Sequence, residues 1–246
     1  MKFSKIIGLA TLVAASTVAH VQAAPVITVG TFTGSAAGAG LDLQGDFVYA
    51  VTMNPNAAGV VLGNAQFTYA LETNDVAVSH QYYIQDWYSS TYTGSAEDVG
   101  LGKVMESISW SGSNYQPDSQ VLSVSMAALT IGQTYKAQFL FAENCCERGF
   151  NFYQDGVRKA SDFSPYAETG NHASYANMSA VLTDIFTATS TSVIFGLGGN
   201  ANFNDNNPIL NAATLENVTA VPEPETFALV LAGLGALGFV ARRKSL

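Results

Sequence analysis

Charge is what this sequence has least of. Only 12% of its 246 residues are Asp, Glu, Lys or Arg, about half the usual share of roughly 25%. The few charges are also one-sided, with ten basic residues against 19 acidic ones. Five of the basic residues stand at the ends (Lys2, Lys5, Arg242, Arg243, Lys244), and with Glu223 and Glu225 also set aside the interior holds five basic and 17 acidic residues. No basic face is left to neutralise phosphates, which excludes a nucleic-acid-binding role. Histidine is scarce as well. Beyond His20 there are only His80 and His172, with no second ligand at metal spacing, so a zinc site or a histidine-based triad has little to build on. A G-x-S-x-G elbow, a phosphate loop and a dinucleotide fingerprint are all absent. The one directly adjacent acidic couple, Glu97 and Asp98, follows a Gly-Ser stretch and is expected to be a solvated loop. No catalytic residues are assigned, and an enzyme is not expected.

Long apolar runs are missing too, and the two short ones lie at the ends. Met1 to Ala23 has the parts of a secretory signal: Lys2 and Lys5, an apolar run from Ile6 to Val18, and small residues at Val21 and Ala23. The run is well short of the ~20 residues that a membrane span needs. Cleavage is expected after Ala23 or Ala24, which implies passage through the Sec translocon and a signal peptidase. At the other end, Val221-Pro222-Glu223-Pro224-Glu225-Thr226 leads into an apolar stretch and then Arg242-Arg243-Lys244. Two prolines flanking one residue hold the backbone extended and open to an enzyme. From Thr226 to Ala241 a helix would rise roughly 24 Å, a little less than a hydrocarbon core of ~30 Å. The basic tail stays cytoplasmic by the positive-inside rule, so the preceding domain lies outside.

The order Pro222-Glu223-Pro224, apolar span, basic tail resembles the PEP-CTERM sorting signal of Gram-negative bacteria. The resemblance implies recognition by an exosortase, a transient anchor in the inner membrane, and delivery to the cell surface or extracellular matrix. It further implies a host that secretes exopolysaccharide and grows as biofilms or flocs.

With 48% hydrophobic residues, residues 24–220 have the means to build a core, and disorder is excluded as a description of the whole. Their pattern is that of strands. Phe47, Tyr49 and Val51 alternate in one run, Leu122, Val124 and Met126 in a second, Tyr135, Ala137, Phe139 and Phe141 in a third. Phe150 to Tyr153, Ser192 to Leu197 and Ile209 to Val218 are further strands. Asn54-Pro55-Asn56, Thr130 to Gln133, Asp155-Gly156 and Asn204 to Pro208 mark turns. The sequence predicts an all-β fold, a single jelly-roll β-sandwich over 24–220, between a signal peptide (1–23) and a sorting segment with a short transmembrane helix (221–246). The stretches Tyr135 to Glu143 and Arg148 to Gly156 resemble the central strands of malectin-like and related galactose-binding-like jelly rolls. Phe139 and Phe152 stand where that pattern has Leu and Val, and the adjacent Cys145 and Cys146 depart from it.

Three groups of residues are candidates for function. The run His80 to Tyr92 is rich in rings, and exposed rings stack on the C–H faces of sugars while Asp, Asn and Gln orient hydroxyls. Tyr82, Tyr88 and Tyr92 are expected at the surface with Asp86 as candidate glycan contacts, and Tyr83 and Trp87 are expected to face the core. Cys145 and Cys146 are the only cysteines; in an exported protein the choices are a vicinal disulfide, a bridge between chains, or free thiols. The loop holding Asn204, Asp205 and Asn206 is a candidate for a structural calcium, although an ion-free turn is the simpler expectation. No other cofactor is implied. The sequence points to an exported, non-enzymatic protein that contacts exopolysaccharide. A self-associating surface protein without glycan affinity and an extracellular hydrolase are the alternatives.

Overall fold

Alternation of apolar and polar residues between turn clusters produces short strands in a computed structural model, which describes residues 26–87, 92, 94–112, 120–173, 177–200, 202–218 and 234. Six strands form one sheet: β1 (Val26–Phe32), β2 (Asp46–Thr52), β5 (Thr68–Tyr69), β10 (Thr134–Phe141), β13 (Ser179–Thr187) and β16 (Ala212–Val218), in the order β1-β13-β10-β16-β2-β5. Five form a second: β6 (Val76–Ser79), β9 (Gln120–Met126), β11 (Phe150–Gln154), β12 (Val157–Phe163) and β14 (Val193–Gly199), in the order β12-β11-β14-β9-β6, and β3 (Val61–Leu62) and β4 (Ala65–Gln66) pair with each other. Pairing is antiparallel within both sheets except for the short β2 and β5 contact. The all-β sandwich expected from the sequence is the observed architecture. These strands belong to the unit Ala23–Ala220, one of two compact units of the chain. The signal segment and Pro222, Glu223 and Pro224 lie outside the described residues, as does all of the expected span but Leu234. Among the described residues no helix is long and apolar enough to cross a membrane.

The core between the sheets is built from alternate residues. Leu122, Val124 and Met126 of β9 meet Tyr135, Ala137, Phe139 and Phe141 of β10 there. Phenylalanines interlock across the gap, with Phe139 and Phe195 4.8 Å apart and Phe141 and Phe163 4.9 Å apart in edge-to-face geometry. β11 and β12 are joined by Asp155 and Gly156, both with positive φ (48° and 80°), which is the two-residue turn that matches the twist of a hairpin.

The outer face of the six-stranded sheet carries a second apolar layer. Leu140, Val181, Ala212 and Ala50 pack there with Phe32, Leu62, Phe67 and with Leu101, Val104 and Met105 of the helix α1 (Ala96–Met105). Two sequence expectations change here. Glu97 and Asp98 are in the first turn of α1 rather than in a loop. Ser95 and Asp98 close a capping box, and Asp98 also accepts hydrogen bonds from the Ser35 N–H and hydroxyl at 2.9 and 2.8 Å. These bonds, the Ser35 N–H first, hold the Asp98 carboxyl down at about 2. Phe47, Tyr49 and Val51 do not share one face. The pairing of β16 with β2 shifts between Leu215↔Tyr49 and Glu216↔Phe47, leaving Val48 as the extra residue of a bulge. Tyr49 and Val51 therefore pack on the inner core and Phe47 on the outer one.

The last expected strand, Ile209 to Val218, is two. At Asn211 the chain leaves β15 (Ile209–Leu210), which pairs with β8 (Ile108–Trp110), and enters β16. The buried Asn211 amide explains the break: its Oδ1 accepts from the Ala142 N–H at 2.7 Å, and its Nδ2 donates to Met105 and Ser107 carbonyls at 2.6 and 3.2 Å. That side chain ties three segments at one end of the sandwich.

Candidate functional site

Four connections meet at that end, and each is fixed by polar contacts. β7 (Tyr82–Ile84) and β8 pair with Tyr82 opposite Trp110. Gln81 accepts from the Gly112 N–H at 2.8 Å, and the Ser111 N–H donates to the Pro208 carbonyl at 3.2 Å, which brings in the 200–208 loop. Trp87 donates from Nε1 to the Ala142 carbonyl at 2.7 Å, and Asn144 Nδ2 donates to the Trp87 carbonyl at 3.2 Å. The 142–149 connection, which carries the chain from the six-stranded to the five-stranded sheet, is thereby clamped to the aromatic run.

A buried ion pair organises this connection. Glu143 Oε1 accepts from the N–H groups of Asn144, Cys145 and Cys146 at 2.9, 3.0 and 3.2 Å, and Oε2 pairs with Arg148 Nε at 2.5 Å. Arg148 also lies 3.6 Å from Asp205 Oδ2, donates to the Asn207 carbonyl at 3.3 Å, and sits over the Trp87 ring at 5.4 Å. One guanidinium so joins the residues flanking the cysteines, the aromatic run and the asparagine loop. All of its positive charge is consumed inside the fold.

The structure sorts the sequence-stated candidates by exposure. Tyr82 is 57% exposed and packs against Trp110 with ring centres 4.9 Å apart and the planes tilted by 37°. Asp86 is exposed, with a left-handed backbone at φ 53°. Tyr92 corrects the expectation: it is 5% exposed, its hydroxyl bonds Ser179 Oγ at 2.8 Å, and its ring stacks on Phe32. The helix-bearing outer layer, which the strand pattern did not reveal, is what covers it. Tyr83 and Trp87 are partly buried against the core, as expected. Tyr88 and Tyr115 lie outside the described residues.

Cys145 and Cys146 are joined to each other in a vicinal disulfide. Glu143 and the two sulfurs form the one group of three candidate metal donors among the described residues, but sulfurs in a disulfide are not thiolates and the Glu143 oxygens are engaged, so the group does not fit a metal. In the asparagine loop, Asp205 turns its carboxylate to the Asn207 N–H at 3.0 Å and to Arg148, while Asn206 is buried and Asn204 exposed.

A feature that sequence reasoning missed lies between the cysteines and this loop. Cys145, Cys146, Glu147, Asn202, Phe203 and Asn204 line an open cleft of about 350 Å³. Phe203 rests on Gly149, where any Cβ would overlap its ring. No local pattern marks Phe203, because the residues it joins are more than fifty positions away in the chain.

Comparison with known proteins agrees with both halves of this description. Residues 220–244 match the family described as the PEP-CTERM protein-sorting motif. The motif implies an exported protein that is processed by an exosortase and sorted to the surface. A search of curated proteins gives no match. Among solved structures, the plant receptor-like kinase FER is similar over 71% of this chain and 50% of its own, with a TM-score of 0.51 and 13% identity. The ANXUR2 extracellular domain from Arabidopsis thaliana is similar over 78% of this chain and 55% of its own, with a TM-score of 0.51 and 10% identity. This chain thus spans about half the length of the plant ectodomains it matches. The likeness is one of fold alone, a β-sandwich.

Proposed function

We propose that this exported protein is a non-enzymatic component of the cell surface or extracellular matrix whose sandwich contacts exopolysaccharide through the loop end, in a host that forms biofilms or flocs. The observation that carries the reading is the exposed Tyr82 ring, packed at a tilt of 37° against Trp110, with the exposed Gln81 and Asp86 next to it in the same short segment of chain. A tyrosine of this exposure, backed by a second ring, offers an apolar face, and an exposed amide and carboxylate in the same segment add hydrogen-bonding groups, which is the composition that binds pyranoses. The malectin-like fold supports carbohydrate recognition as the role of such loops. The sorting motif supports delivery of the domain to the polysaccharide, after Sec export and signal-peptide removal. Self-association through cysteines has less support, because the vicinal bond takes up both sulfurs.

The test is a titration of the full chain, kept in mild detergent, with the exopolysaccharide of the producing bacterium. Saturable binding that Tyr82→Ala weakens supports the reading. A folded chain that binds no polysaccharide, or a chain that cleaves it, overturns it.

A further inference from the structure

The cleft beside the vicinal disulfide has the chemistry of a second subsite. Its volume of about 350 Å³ is at the lower end of the ~300–1,000 Å³ of small-ligand sites. Two of its lining groups are apolar and polarizable, the Cys145–Cys146 bond and the Phe203 ring; the other three, Glu147, Asn202 and Asn204, are exposed hydrogen-bonding side chains. The disulfide's surroundings are prearranged. Glu143 holds the three N–H groups of 144–146, Arg148 Nη2 donates to Cys145 Sγ at 3.3 Å, and Glu147 completes the bend with φ 47°. Phe203 is equally fixed by its seat on Gly149 and by its N–H bond to the Asn200 carbonyl at 3.2 Å. Rigid walls reduce the ordering cost of binding.

Charge narrows the ligand. Arg148 is the cation nearest the cleft in sequence, and it is 3% exposed and committed to Glu143, Asp205 and the Asn207 carbonyl. Glu147 is the only charged side chain in the lining. A uronate or sulfated sugar would meet a carboxylate with no cation in the lining to balance it, and like-charge juxtaposition disfavours that complex.

Resting on the polysaccharide-binding reading, we propose that this cleft binds an uncharged pyranose unit against the Cys145–Cys146 disulfide and Phe203, and that reduction of the disulfide abolishes the subsite. A pyranose C–H face gains dispersion contact from the sulfurs and the ring, and its hydroxyls bond Asn202, Asn204 and Glu147. Two small thiols reduce the bond: the Sγ–Sγ bond breaks, two cysteine thiols form, and the two small thiols couple to their own disulfide. The eight-membered ring then opens, and residues 145–146 lose the constraint that shapes the wall.

The experiment titrates the full chain in mild detergent with neutral glucan and galactan oligosaccharides and with an oligogalacturonide, before and after dithiothreitol. Reduction is read by mass, and folding by circular dichroism. Neutral oligosaccharides are expected to bind the oxidised chain and to bind about tenfold more weakly after reduction. Phe203→Ala, which leaves the disulfide intact, is expected to weaken them to a similar extent. Binding of the neutral sugars that neither reduction nor Phe203→Ala changes overturns the subsite, and preference for the oligogalacturonide overturns its ligand class. In both cases the polysaccharide reading stands if Tyr82→Ala still weakens binding. Absence of binding to every sugar, the native polysaccharide included, overturns both.

Discussion

Arg148 Nε lies 2.5 Å from Glu143 Oε2, and the two side chains are 3% and 1% exposed, so this charge pair is fully withdrawn from water. Each partner exists in that place only because of the other. Arg148→Met is expected to lower stability by about 3–5 kcal/mol, since it leaves a buried carboxylate without its cation. The double variant Glu143→Gln, Arg148→Met is expected to recover part of that loss. Urea unfolding of the three proteins checks both statements.

Asp184 is a buried carboxylate without such a partner. It is 0% exposed, neither oxygen has a hydrogen-bond partner, and strand alternation points it inward with Leu182 and Phe186. Burial raises its pKa from 3.8 to about 6; Lys159 opposes the rise and Asp155 adds to it. A raised carboxylate pKa means that the folded state binds the proton more tightly. The ionised form therefore costs stability, by up to about 3 kcal/mol, as pH rises from roughly 4 to 6. Asp184→Asn is expected to flatten this part of the pH profile of the melting temperature. An unchanged slope overturns the assignment.

Gly45 lies where any Cβ would overlap the Glu216 carboxylate, which is held by Lys136. Gly45→Ala is expected to displace Glu216 and cost about 1–3 kcal/mol, as other overpacking substitutions do. Thermal melts of Gly45→Ala beside Gly59→Ala, a glycine with open space around it, separate the steric cost from that of glycine loss, after allowance for the positive φ at Gly59.

Tyr82 and Tyr92 have the same side chain and opposite roles. Tyr82→Ala is expected to leave the melting temperature nearly unchanged and to weaken polysaccharide binding. Tyr92→Phe removes the hydroxyl bonded to Ser179 and is expected to cost about 1 kcal/mol with binding intact. A calorimetric melt and a binding titration on both variants test the split.

Replacing Pro222, Glu223 and Pro224 with alanine is expected to keep the chain in the membrane fraction of an exosortase-bearing host. Fractionation against the unaltered chain decides this; equal release of the two proteins contradicts a role for the motif.

The sequence by itself determined the sorting address and the sandwich. A sorting motif is read by order and polarity along a few residues, and strands such as β9 and β10 announce themselves through two-residue alternation, so both are local properties. Other features were decided only by the tertiary structure. The bulge at Val48, which turns Phe47 away from Tyr49, depends on the register with β16. The burial of Tyr92 depends on an outer layer built from α1 and distant loops. The cleft joins Cys145 and Cys146 to Phe203, and the Arg148 guanidinium ties Trp87 to Asp205 across more than a hundred positions. Exposure, pairing of charges and cavity shape depend on which segments fold against one another, and no window of sequence carries that information.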